Sequence, residues 1–130
     1  MHYSYEKKLR HVADFRVKYT FYTPAEGGRS QLPFQGLRSD FCYSTDPYSE
    51  GGQVYRIWPE FEDENGELIL EKDTPVPISG TARMWIINSA RRVFHRLRIK
   101  PGLTCYFWES RPTAKCEVIE ILGLFTNPAT

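Results

Sequence analysis

From His11 to Tyr22 the odd positions Ala13, Phe15, Val17, Tyr19 and Phe21 are apolar, while Asp14, Arg16, Lys18 and Thr20 intervene. Successive side chains of a strand point to opposite faces, so this period of two predicts a strand with one buried face. Pro24 ends it, and Glu26 to Gly36, with its glycines and Pro33, reads as a loop. Leu37 to Ser44 alternates again until Asp46-Pro47 stops it. Val54 to Phe61 and Glu67 to Glu71 flank Asn65-Gly66, a strong signal for a tight hairpin. Pro59 cannot donate to a ladder, which puts the first arm at a sheet edge. Thr81 to Asn88 is apolar enough for a strand partly buried on both faces. Leu103 to Glu109 and Ala114 to Leu122 form a last pair around Ser110-Arg111-Pro112, which sets Cys105 opposite Cys116.

An aromatic content of 15% suits pleated, half-buried surfaces, and Gly and Pro supply frequent breaks. The fold class is therefore expected to be all-β. With 130 residues the chain has room for one core. The expected domain runs over residues 11–124, with an N-terminal tail at 1–10 and a C-terminal tail at 125–130. One segment departs from strand logic. In Ser89 to Leu97 the positions Ala90, Val93, Phe94 and Leu97 follow i, i+3, i+4, i+7, which predicts a short helix. Asn88 or Ser89 is its expected cap, and Pro101 closes the segment.

Charge is balanced, with 17 Lys and Arg against 16 Asp and Glu, so attraction to a polyanion must be local. The densest cationic run is Arg91, Arg92, Arg96, Arg98 and Lys100, without one acid among them. It could neutralise phosphates, or it could be a helix face paired with acids such as Glu60, Glu62, Asp63 and Glu64. Tyr55, Trp58, Tyr106 and Trp108 could stack on bases or fill the interior. No phosphate-cradling loop, H-E-x-x-H or G-x-S-x-G occurs. Cys42, Cys105 and Cys116 lack metal-ligand spacing and read as thiols. No enzyme activity, cofactor, metal or membrane contact is expected, and a cytoplasmic location is.

Glu26-Gly27-Gly28-Arg29, Pro33-Phe34, Leu37-Arg38-Ser39-Asp40-Phe41-Cys42-Tyr43 and the stretch Gly102-Leu103 through Glu109-Ser110-Arg111 resemble, in order and spacing, the C-terminal β-barrel of elongation factor Tu. The resemblance covers about residues 11 to 122. It implies a small closed antiparallel barrel of six strands, here with one short helical insertion. In that family the barrel binds the T-stem side of aminoacyl-tRNA and contacts a neighbouring barrel, the GTPase domain and an exchange factor. No GTPase-like segment is present. By this resemblance Arg38 and Glu109 are inherited contacts and Arg29 lies in the matching loop, although Asp40 stands where the family has glutamine. Together these observations lead to two readings of a non-enzymatic binding module. In the first it holds tRNA or another structured RNA through Arg29, Arg38, Arg91, Arg92, Arg96, Arg98, Lys100 and Glu109. In the second it binds a translation-related protein, as a mimic or an inhibitory or immunity-type module.

Overall fold

The computed structural model describes residues Met1–Thr130. Helix α1 (Tyr5–Leu9) precedes strand β1 (Phe15–Phe21), followed by β2 (Asp40–Tyr43), β3 (Val54–Tyr55), β4 (Ile57–Phe61) and β5 (Ser79–Ile86). A 3-10 turn at Ser89–Arg91 runs into α2 (Arg92–Arg96), and β6 (Thr104–Trp108) and β7 (Pro112–Ile121) complete the chain. All seven strands form one antiparallel sheet in the order β3-β2-β6-β7-β1-β5-β4.

The alternation read in β1 is realised: Phe15, Val17, Tyr19 and Phe21 are buried and Lys18 and Thr20 are exposed. Phe41 and Tyr43 of β2, Cys105 and Phe107 of β6, and Ala114, Cys116 and Val118 of β7 face the same core. Its centre is aromatic, with Tyr19 and Phe61 at 5.1 Å and Phe41 and Tyr43 at 5.0 Å, both edge to face. Such pairs add roughly 0.5–1.5 kcal/mol each beyond the area they bury.

The expectation of a closed six-stranded barrel needs correction. The extended segment from Val54 to Phe61 divides at Arg56, so that β3 pairs with β2 at one end of the sheet and β4 pairs with β5 at the other. The two ends are one residue apart along the chain, and the sheet curls around its core, but no ladder joins β3 to β4. The Arg56 carbonyl accepts instead from the Ile87 N–H at 3.1 Å.

The outer edge of β4 explains a second departure. Glu62 N–H donates to Thr81 on β5, so the backbone nitrogens of Pro59 and Phe61, offset by one residue, belong to the opposite, open side. Proline removes one of those donors. The other goes to a side chain: Phe61 N–H donates to Gln35 Oε1 at 2.8 Å, and Gln35 Nε2 donates to the carbonyls of Phe61 and Ile69, each at 2.8 Å. The Gln35 amide is thus inserted into the ladder that the hairpin would have made. The turn at Asn65-Gly66 forms, but Glu67 to Glu71 contributes only a bridge at Leu68 rather than a strand.

Neither terminal segment is a tail. His2 and Tyr5 are buried, and the Glu60 carboxylate beneath them meets His2 Nε2 at 2.6 Å, Tyr5 N–H at 2.9 Å and Trp85 Nε1–H at 3.1 Å. Tyr5 packs edge-on against Trp85, covering the outer face of the β4–β5 pair. At the other terminus Asn127 is buried, and its Nδ2 donates to Val12 O and Asp14 Oδ1. No helix is long and apolar enough to cross a membrane.

Gln35→Leu keeps the volume but strands the Phe61 N–H and the Ile69 carbonyl. It should cost about 1–3 kcal/mol in urea unfolding and speed amide exchange at Phe61, since an unmet buried polar group carries its full desolvation penalty.

Candidate functional site

The cationic run on and beside α2 holds most of the candidate residues, and the helix turns the reverse way from an ordinary amphipathic one. Three of the apolar positions point outward, Val93 being 52% and Leu97 84% exposed and Ala90 also exposed, while Phe94 is half-buried against the core. Arg92 and His95 are the residues that face the interior. Neither expected cap forms, because the Asn88 side chain makes no capping bond and Ser89 Oγ donates to Thr130 O instead.

Arg92 is 1% exposed and its Nε donates to Asp14 Oδ1 at 2.7 Å. Its Nη2 donates to Ile86 O at 2.9 Å and its Nη1 to Pro128 O. Asp14, fully buried, accepts in addition from Ile86 N–H at 2.8 Å and Asn127 Nδ2 at 3.0 Å. Every oxygen of the carboxylate and every nitrogen of the guanidinium therefore has a partner, which is the condition for keeping such a pair out of water. Arg92 belongs to this internal junction and to no binding surface, which corrects its place among the RNA contacts.

The neighbouring cations are also engaged. Arg96 donates to the carbonyls of Leu124 and Asn127, both at 2.8 Å, and so straps α2 to the C-terminal segment. Arg98 lies over the Tyr43 ring at 4.0 Å, donates to Thr45 Oγ1 and meets Asp46 at 3.5 Å. Only Arg91 and Lys100 of the run are exposed with no ion pair or side-chain hydrogen bond of their own. Two of the candidate acidic partners serve elsewhere: Glu60 holds the N-terminal segment, and Glu62 receives Arg16, Arg83 and Thr81. Burial by itself would raise the Glu62 pKa, but those hydrogen bonds outweigh it and hold the carboxyl below its ordinary range.

His95 sits beneath the run. Its Nδ1 is 2.6 Å from Tyr43 Oη, and its ring meets Tyr55 edge-on at 4.8 Å. Burial, assisted by the charges of Arg91, Arg98 and Arg92, lowers its pKa to about 4, while burial raises that of Tyr43. The two groups are both neutral at pH 7. Two thiols are likewise held protonated: burial pushes Cys42 up, and burial together with Cys105, directly across the β6–β7 ladder, pushes Cys116 well up. All three cysteines are free.

The remaining candidates lie apart from α2. Arg38 stacks over the Trp58 ring at 4.9 Å. Arg29 and Glu109 pair with one another, Nη1 to Oε1 at 2.6 Å, and Arg111 donates to the carbonyls of Gly27 and Gly28. The Glu26–Arg29 loop and the Glu109–Arg111 turn, distant in sequence, thus meet at one rim around a depression of about 350 Å³. The two glycines allow the loop its shape: Gly27 has φ of 91°, and a Cβ at Gly28 would fall 2.1 Å from the Tyr22 carbonyl oxygen.

Sequence reasoning missed Asp14, Gln35 and Glu60, the buried polar groups that organise this architecture. One signal was present, a charge just before the apolar alternation of β1, yet it is indistinguishable in sequence from an exposed strand residue.

Asp14→Ala leaves the Arg92 charge buried without a partner and should cost about 3–5 kcal/mol, whereas Arg91→Ala should stay within about 0.5 kcal/mol; urea titrations of the two variants measure the contrast. A pH dependence follows from His95. The unfolded chain takes up its proton near pH 6.5 and the folded one near 4, so stability falls as pH drops through that window. His95→Gln should flatten the thermal-melting profile between those pH values.

No protein-family model and no curated protein matches this chain.

Proposed function

We propose that this chain is a non-enzymatic module that binds a protein partner, in the manner of the protein contacts made by the elongation factor Tu barrel that its sequence resembles. The observation that supports this reading is the inverted helix α2. Burying Arg92 and His95 while leaving Val93 and Leu97, one turn apart on the same face, in water is the reverse of what a helix adopts for its own stability. An outward apolar pair on a helix held from beneath by Arg92 and Arg96 is a rigid contact that costs little conformational entropy to dock.

The RNA reading draws less support. Arg92, Arg96 and Arg98 are committed to internal contacts, Arg29 and Glu109 satisfy each other, and Arg38 covers Trp58. Two exposed cations, Arg91 and Lys100, are a small electrostatic footprint for a phosphate backbone, whose binding scales with the number of phosphates neutralised.

The test is a pull-down from cell extract with wild type, Leu97→Glu and the Arg91→Ala, Lys100→Ala double variant, with and without ribonuclease. The expected result is a protein retained by wild type and by the double variant after ribonuclease, and lost with Leu97→Glu. Recovery of tRNA or other structured RNA that disappears in the double variant but survives Leu97→Glu would overturn the proposal in favour of RNA.

A further inference from the structure

Where the two ends of the curled sheet approach each other, Gln53, Val54, Arg56, Ile87, Asn88 and Arg91 line a cavity of about 470 Å³. That volume falls within the roughly 300–1,000 Å³ of small-molecule sites. Arg56 occupies the break between β3 and β4, and Arg91 the turn that enters α2. Their backbones are pinned to the same dipeptide: Ile87 N–H donates to Arg56 O at 3.1 Å, and Arg91 N–H donates to Asn88 O at 3.0 Å. No carboxylate lines the cavity.

The state of these two arginines sets them apart. Arg16, Arg29, Arg83, Arg92, Arg96, Arg98 and Arg111 each hydrogen-bond a carboxylate, a carbonyl or a hydroxyl, and Arg38 stacks on Trp58. Arg56 and Arg91, like Arg10 far away on the N-terminal segment, make no such contact and are exposed. In a chain that commits eight of its eleven guanidiniums, two of the uncommitted ones share one concavity with the side-chain amides of Gln53 and Asn88.

We propose that this cavity binds a small organic phosphomonoester. Paired guanidinium forks suit a tetrahedral dianion, which offers each of them oxygens for bidentate hydrogen bonds, and the two amides add N–H donors to the same oxygens. The cavity is far larger than a bare phosphate, and Val54 and Ile87 supply an apolar wall for the organic end. Neither charge has a counter-ion of its own, and a bound dianion supplies one to both. This inference is independent of the partner-binding reading, which rests on Val93 and Leu97.

Phenyl phosphate and inorganic phosphate serve as probes in NMR titrations of the whole chain, with Arg56→Gln, Arg91→Gln as the double variant. Phenyl phosphate is expected to shift the amide resonances of Arg56, Ile87, Asn88 and Arg91 saturably and to bind more tightly than inorganic phosphate. The double variant, altered only at exposed side chains, should keep the wild-type melting profile and lose at least tenfold in affinity. Leu97→Glu should bind phenyl phosphate as wild type does, which separates this site from the partner surface. Shifts scattered over Lys7, Lys8 and Arg10, equal affinity for the two probes, or unchanged binding by the double variant would each overturn the proposal.

Discussion

A single buried ion pair, Asp14 with Arg92, joins the parts of this molecule that the sheet ladders do not. It lies where the approach to β1, the end of β5, α2 and the C-terminal segment converge, and each contributes a hydrogen bond to it. A fully buried pair of this kind often adds little net stability over an apolar substitute, because desolvation cancels much of the Coulomb attraction. Its effect is on arrangement. A carboxylate and a guanidinium whose every oxygen and nitrogen has a partner tie four segments together, and the arrangement turns α2 so that Arg92 looks inward. The exposure of Val93 and Leu97 follows from the same constraint.

The edges of the sheet are managed by side chains rather than by closure. At β4 the open backbone is met by the Gln35 amide and by a proline that lacks the donor, so little remains for another strand to pair with. The buried Glu60 carboxylate draws the first residues of the chain over the outer face of β4 and β5. The break at Arg56 spares the remaining gap from a continuous strand, and the cavity between Arg56 and Arg91 is what that break leaves. A more regular barrel would have filled it with a ladder.

What could be read locally was read correctly where one physical term dominated. The alternation of β1, the strands at 103–109 and 114–122 with Cys105 facing Cys116, and the edge position marked by Pro59 all follow from side-chain period and backbone donors, which a residue carries with it. The helix at Ser89 to Leu97 was legible as an element, but the way it faces was not. Apolar spacing says which side of an isolated helix prefers burial, and it is silent about an aspartate lying far away in the sequence that binds the arginine on the other side. The candidate cations suffered the same fate: their density was visible, but whether each meets water, a ring or a carbonyl depends on residues far off in sequence, such as Tyr43 for Arg98 and Leu124 for Arg96.

By itself, then, the sequence determined a mostly β chain with a short cationic helix, because alternation, turn residues and β-branched or aromatic content act over a few neighbours. Only the tertiary structure decided that the sheet has seven strands with two unjoined ends, that both termini are built in, and which arginines remain uncommitted. Those outcomes depend on charges and amides finding partners across the chain, and a buried polar group takes whichever partner the assembled fold brings within hydrogen-bonding distance.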